Sequence, residues 1–419
     1  MLQRLIPEGS LKRAFTFVFS GSAAGQLFGL LAAPVLARIF TPEDFGVYGT
    51  LMFIAGVVGV VAAGRFEIAF PLTIDEGQAK ALGIGCFYVL LAVGGITCVL
   101  SLVLGPSMAQ IEQLVPVVPF LYLVPLIVLS IGLFNILSQW SARLRCFGVL
   151  GSAKTIQGAA ASLVQVVCGL MWTSPVGLVV GDIAGRTSAV GILVFPVSRS
   201  VRTKTAPLLG VLKRFRRFCM LSAPAAVMNT ASQRTPAFFF AAFYGLEAAG
   251  FFVLCQRVVG TPIQLVSRSV SQVYSVEFGS KVETDPSANL ALFMQISRSI
   301  VLYLSIPFLL AAWLAPPITT LVFGQDWVAA GEFMRYLILA QFFQLVAAPV
   351  SQTLNLLNRQ DLQLAWDIFR LLCICGLFLA CGVYLAVPSL LTLQFYCLLI
   401  AVLYLVLWLV SYLQVKGSL

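Results

Sequence analysis

ALGIGCFYVLLAVGGITCVLSLVL, residues 81–104, holds twenty-four consecutive positions without a charged side chain. At about 1.5 Å of rise per residue such a helix is about 36 Å long, enough to cross a hydrocarbon layer of about 30 Å. The run is not isolated. Apolar stretches of similar length predict further spanning helices roughly at 15–37, 47–63, 118–137, 155–172 and 176–197. A second set is predicted at 218–243, 249–274, 293–314, 332–356, 365–384 and 390–415. The first span follows Lys12 and Arg13 as a cleaved leader would, but it is too long and no clear cleavage site follows it, so it is read as a retained helix. The expected fold class is an all-α integral membrane protein of about twelve transmembrane helices.

Composition supports this class. Of 419 residues, 60% are hydrophobic and only 10% are charged, and the mean hydropathy is +0.98. A soluble globular chain carries about a quarter of its residues as charges, so the apolar excess must face lipid. The net charge of +10 does not point to nucleic acid, because the basic residues lie between the apolar runs, where they act as topology signals and lipid-headgroup contacts. Lys12, Lys80, Arg143, Arg145 and Lys154 fall in alternate loops, as does the cluster from Arg199 to Arg217. The opposite loops hold chiefly acids such as Glu43, Glu112 and Glu247. The positive-inside rule then places both termini in the cytoplasm.

The chain has no histidine, which removes Ser-His-Asp and Cys-His nucleophiles and histidine zinc sites. Its ten cysteines show no CxxC or zinc-like spacing, and eight fall inside apolar runs as small buried hydrophobes. Neither a Walker A motif nor a metal-ligand cluster is present, so no cofactor, no metal and no covalent chemistry are expected. A transporter fits these constraints better than an enzyme.

The basic stretch near the middle suggests a duplicated architecture: an N-terminal six-helix lobe (1–197), a basic cytoplasmic linker (198–217) and a C-terminal six-helix lobe (218–419). A local repeat agrees with it. FTPEDFGVYGTL from Phe40 aligns with YGLEAAGFFVLC from Tyr244, placing Glu43 on Glu247 and Gly46 on Gly250. Two parallel bundles around a central cavity would support alternating access.

Four segments carry a family resemblance: LARIFTPEDFGVYG from Leu36, GRFEIAFPL from Gly64, the stretch from Ser222 to Pro262, and FGQDWVAAGEFMRYL from Phe323. They resemble the Wzx-like oligosaccharide flippases of bacterial polysaccharide biosynthesis, within the multidrug/oligosaccharidyl-lipid/polysaccharide exporter superfamily. The resemblance implies twelve helices in two lobes around a V-shaped cavity. It also implies translocation of an undecaprenyl-pyrophosphate-linked repeat unit of O-antigen, capsule or exopolysaccharide from the cytoplasmic to the periplasmic leaflet of the bacterial inner membrane. A polysaccharide polymerase and glycosyltransferases are candidate partners, along with membrane lipids.

Charges at membrane depth are costly and normally face a bundle interior or a watery cleft. Asp182 and Arg186 are four apart on one helix and are read as an ion pair; Arg65 and Glu67, two apart, are expected not to face one another and to pair across helices. Asp182 and Glu67 are also the candidate carriers of a coupling proton or sodium ion. Arg234, Arg257 and Arg298 have no acidic neighbour at helical spacing, and a cleft lined by such guanidinium groups would suit the oxygens of a pyrophosphate. The alternative is that each snorkels or bridges helices. Asn229 and Gln233 flank Arg234 and could hydrogen-bond a sugar or hold helices together; Pro224 and Pro236 are expected to kink that helix. Other functions compete with a glycan flippase: a cation-coupled multidrug exporter of the same fold, a membrane glycan polymerase or ligase, a flippase of that fold for a peptidoglycan precursor, and a scaffold that assembles biosynthetic partners. The first would present acids in its cavity, and the second would carry a large outer loop.

Overall fold

The structure, a computed structural model, describes residues 8–200, 205–279 and 286–417. Those residues form helices and short connections, with no β-strand among them. In chain order the helices are α1 (Glu8–Ile39), α2 (Pro42–Gly59), α3 (Glu76–Met108), α4 (Val124–Arg143), α5 (Phe147–Met171), α6 (Pro175–Ser200), α7 (Leu208–Arg217) and α8 (Ala223–Tyr244). There follow α9 (Leu246–Cys255), α10 (Thr261–Gly279), α11 (Pro286–Phe323), α12 (Val328–Val350), α13 (Gln352–Leu356), α14 (Gln360–Leu379) and α15 (Ser389–Gly417). Tight 3₁₀ segments cover Phe66–Leu72 and Glu112–Leu123, and π turns cover Phe218–Ser222 and Gln256–Gly260.

Among the described residues nine helical segments are long and apolar enough to cross a membrane. They fall at nine of the twelve expected places. The other three places are occupied by α2, α5 and α8, which are helical but more polar. Helix α2 has 18 residues and opens on Pro-Glu-Asp; α5 carries Lys154 and Gln157; α8 carries Asn229, Gln233 and Arg234. The surface is apolar where a soluble protein would be polar: Leu31, Leu102, Leu170, Tyr303, Ile306 and Leu321 are 72–77% exposed. Lipid is the solvent that such a surface requires.

Local sequence explains the helix starts. Thr41 caps α2: its hydroxyl accepts the Asp44 amide at 3.3 Å while the Asp44 carboxylate accepts the Thr41 amide at 3.0 Å. Asp75 caps α3 by accepting the Gln78 amide at 2.7 Å. Gly245, at φ +88°, supplies the backbone turn before α9 that residues with a Cβ resist. Helices α2 and α9 begin at Pro42 and Leu246, and α4 and α12 at Val124 and Val328, so both pairs are 204 positions apart. The repeat aligned from Gly46 and Gly250 has the same offset.

The chain divides into two compact units, Met1–Arg234 and Thr235–Leu419. The division falls within α8, which runs unbroken through Pro236; Pro224 lies at its start, where the helix continues directly from the π turn Phe218–Ser222. The stretch 198–217, expected as a linker, is helical at both ends: α6 continues to Ser200 and α7 covers Leu208–Arg217. Residues 201–204, with Arg202 and Lys204, lie outside the described residues.

In the first unit α1 and α5 meet through glycine. A Cβ at Gly21 would strike the backbone of Gly151, and one at Gly158 the backbone of Gly25. Small residues let apolar helices approach closely where lipid provides no hydrophobic drive between them. Trp140 of α4 fills the space above Gly83 of α3 and stacks on Phe70 at 5.1 Å between ring centroids. The second unit is centred on aromatics: Phe240 lies 5.3 Å from Phe252, 5.6 Å from Phe333 and 5.1 Å from Phe378.

Candidate functional site

In the first unit the Arg234 Nη1 of α8 donates to the Met52 carbonyl oxygen of α2 at 3.0 Å. A carbonyl inside a helix keeps a second lone pair after accepting its helical amide, so α2 can take this bond without unwinding. The guanidinium passes over Gly56, one turn further along. A Cβ there would lie 2.8 Å from Arg234 Nε and 2.9 Å from Cζ. Gly56 therefore makes the groove in which the arginine lies. The side chain stays exposed, and its remaining donors have no hydrogen-bond partner among the described residues.

Helix α6 packs against α2 and brings Asp182 and Arg186 to the same neighbourhood. Their side chains pair at 2.6 Å and are 17% and 15% exposed. Together with Tyr48 they are the charged and polar neighbours that act electrostatically on Arg234. Since the Asp182–Arg186 pair cancels itself, Arg234 is left as the net positive charge of the cluster. On α8 the Gln233 amide donates to the Asn229 side-chain oxygen one turn away, and both residues are exposed. An exposed, anchored guanidinium beside amide groups can bind an oxyanion through charge-assisted bonds and a hydroxyl-rich group through neutral ones.

The other sequence-selected residues lie elsewhere. Arg257 belongs to the second unit, in the π turn Gln256–Gly260, where the widened helix is the kind of local distortion that accumulates at functional sites. It is not isolated, and Arg234 bridges α8 to α2 through a backbone carbonyl, which is the helix-bridging alternative set out for these arginines. Arg298 of α11 is exposed and has no ion pair among the described residues. Its neighbour Ser297 is buried and accepts Trp408 Nε1 at 2.9 Å.

Arg65 and Glu67 correct a further expectation. They contact one another, with Nη1 and Oε1 3.9 Å apart, instead of pairing across helices. The backbone is the reason: Gly64 and Arg65 are both left-handed, at φ +65° and +61°, and reverse the chain so that side chains two apart converge. Glu67 is 3% exposed, and its Oε2 and the Arg65 Nε have no hydrogen bond among the described residues. The separation exceeds a hydrogen bond, so the contact is ionic only.

Four further charges that fall within or near the ends of the predicted spans, Glu332, Arg335, Asp367 and Arg370, form pairs in the second unit that the sequence reading did not draw. Arg370 of α14 contacts Asp367 at 3.3 Å, donates to the Tyr404 hydroxyl at 3.2 Å and lies 4.5 Å above the Trp366 ring. Glu332 and Arg335 of α12 pair at 3.0 Å. The i,i+3 spacing of both pairs was visible in the sequence and carries the same meaning as the i,i+4 spacing of Asp182 and Arg186. Among the described residues no group of three or more acidic or cysteine side chains could hold a metal.

Comparison with known proteins adds three findings. A family profile described as polysaccharide biosynthesis protein matches residues 35–332. The succinoglycan biosynthesis transport protein ExoT of Rhizobium meliloti (strain 1021) is 22% identical over 322 residues, which are 75% of this chain and 63% of that protein's length. Among solved structures, an inward-facing multidrug resistance MATE transporter of the MOP superfamily matches with a TM-score of 0.71 at 11% identity, over 98% of both chains. The lipid II flippase MurJ, in an inward closed conformation, matches with 0.66 at 13% identity, over 95% of this chain and 89% of its own. At such identities the two structures speak to the fold alone, which this chain shares with both.

Proposed function

We propose a transport function from the premise that this chain belongs to the polysaccharide biosynthesis protein family, whose profile spans residues 35–332. In this reading it is a flippase that carries an undecaprenyl-pyrophosphate-linked oligosaccharide, a repeat unit of O-antigen, capsule or exopolysaccharide, from the cytoplasmic to the periplasmic leaflet of the inner membrane. Twelve helices in two six-helix lobes alternate the exposure of a central cavity, and both termini face the cytoplasm. The cargo is received from glycosyltransferases and passed to a polymerase.

The observation that carries the reading is Arg234: an exposed guanidinium fixed to α2 by the Met52 carbonyl, beside an ion pair that cancels itself. Placing a cation in an apolar helical segment is costly, and a phosphate-bearing cargo repays it by charge-assisted contacts. Asn229 and Gln233 contribute amide contacts to sugar hydroxyls, and Arg257 and Arg298 extend the cationic lining in the second unit. Glu67 is the better candidate than Asp182 for a coupling proton or sodium ion, because its Oε2 is buried without a hydrogen bond, whereas Asp182 is held by Arg186 at 2.6 Å.

The test is restoration of surface polysaccharide in cells lacking their own flippase, with Arg234→Ala, Arg257→Ala and Arg298→Ala compared at matched membrane abundance. Restoration by the parent chain, loss in the alanine variants and partial retention in Lys variants are expected. Equal restoration by every variant would remove the cationic site, and failure of the parent chain across several glycans would favour a drug exporter of the same fold.

A further inference from the structure

Helix α7 is not used by the transport reading. Its sequence, LLGVLKRFRR, places Leu208, Val211, Leu212 and Phe215 at i, i+3, i+4 and i+7, a single apolar stripe. Val211 and Phe215 are buried, and Leu212 fills the space over Gly85 of α3, where a Cβ would come within 2.7 Å of it. The chain entering α7 is tied to the start of α3 by the Ala206 amide, which donates to the Gly77 carbonyl oxygen at 3.2 Å. The opposite face holds Lys213, Arg214 and Arg216, all exposed. Arg214 donates to the neutral Gln78 side chain at 3.4 Å and lies 5.5 Å from the centre of the Phe215 ring, and none of the three pairs with a carboxylate among the described residues, although Asp75 and Glu76 open the helix on which α7 rests.

The contacts fix the depth of this face. Leu212 touches α3 at Gly85, inside the apolar run that begins at residue 81, while Arg214 reaches Gln78, just before it. These two contacts straddle the boundary between the apolar and polar parts of α3, which is where the bilayer meets water. Before and after the basic residues along the chain, Leu209 and Met220 are 82% and 69% exposed, with no protein to cover them. A basic face at this depth, flanked by bare apolar side chains, is the pattern of a helix lying in the headgroup layer.

We propose that α7 is an interfacial helix that binds the phosphate headgroups of anionic phospholipids through Lys213, Arg214 and Arg216. The three side chains are exposed, so the face suits abundant headgroups of the surrounding leaflet better than a single cargo molecule, which would need enclosing donors. The inference goes beyond the flippase reading and holds whatever the cargo is.

The test uses the full chain purified in neutral detergent, with phosphatidylglycerol or phosphatidylcholine added, and reads thermal stability together with bound lipid by native mass spectrometry. Phosphatidylglycerol should bind preferentially and stabilise, less so at high salt, because exposed charges are screened. Each basic residue near a membrane surface is worth about fivefold in binding, so the triple variant Lys213→Gln, Arg214→Gln, Arg216→Gln should lose most of the preference. The triple swap Lys213→Arg, Arg214→Lys, Arg216→Lys, which keeps every charge, should retain it and guards against a folding defect in the first variant. An undiminished preference in the Gln variant, or a wild-type preference insensitive to salt, would overturn the proposal. So would displacement of phosphatidylglycerol by micromolar inorganic pyrophosphate, which would assign the face to the cargo's phosphates.

Discussion

Replacing Gly56 by alanine should disable the proposed site while leaving the fold nearly intact. The added Cβ would sit 2.8–3.0 Å from Nε, Cζ and Cδ of Arg234, inside the 3.5–4.0 Å at which carbon contacts become favourable. The obstructing atoms are the far end of a flexible side chain, so the arginine moves and the backbone does not. Moving it breaks the 3.0 Å bond to the Met52 carbonyl, and a hydrogen bond to a charged group contributes about 1.5–3 kcal/mol. Alanine offsets about 1 kcal/mol of this through its better helix propensity, leaving a net destabilisation of about 0.5–2 kcal/mol. The functional effect is larger. If the displaced guanidinium also forfeits a phosphate contact of similar strength, apparent affinity should fall about 10- to 150-fold. The assay is binding of labelled undecaprenyl pyrophosphate to purified protein, alongside thermal unfolding. Gly95→Ala on α3 is the control, because a Cβ there meets nothing within 4 Å. Wild-type affinity in both Gly56→Ala and Arg234→Ala would refute the anchoring argument.

Three further outcomes follow from the packing. Asp367→Asn leaves Arg370 without its counter-charge in a buried setting and should cost about 3–5 kcal/mol in thermal unfolding, whereas the double change Asp367→Leu, Arg370→Met should recover most of it; a single variant as stable as the parent would show the pair to be dispensable. Gly151→Val drives a branched side chain into the α1 backbone at Phe17 and Val18 and should destabilise by about 1–3 kcal/mol or more, while Gly148→Val, which meets no neighbour, should have a much smaller effect on the melting temperature. Thr41→Ala removes the cap of α2 and should cost about 1 kcal/mol; Thr41→Ser should retain most of that stability, and equal melting temperatures for the two would argue against the capping box.

Much of the candidate site was legible before any coordinates, because the rule that exposed it is general: an ionisable side chain inside an apolar run needs a reason. That rule selected Arg234, Asp182 and Arg186 one by one, and helical spacing paired the last two. It failed for Arg65 and Glu67 because the pairing assumed regular helix, whereas two successive left-handed residues bring the side chains together. Applied consistently, it would have paired Asp367 with Arg370 as well. Gly56 left no signal of its own, since one glycine among the 34 in the chain looks like any other until the side chain crossing it is known.

The sequence by itself determined that the chain is a membrane protein, where its helices lie, and which of them carry charge. These properties are set by composition and by neighbours a few residues apart, within reach of the 3.6-residue period. Tertiary structure alone decided that Arg234 rests on Met52, 182 positions away, that α1 and α5 close through glycine on glycine, and that α7 lies on the start of α3. Contacts between distant helices depend on how side-chain volumes fit in space, and in an apolar chain many interchangeable Leu, Val and Ala faces satisfy the same local pattern.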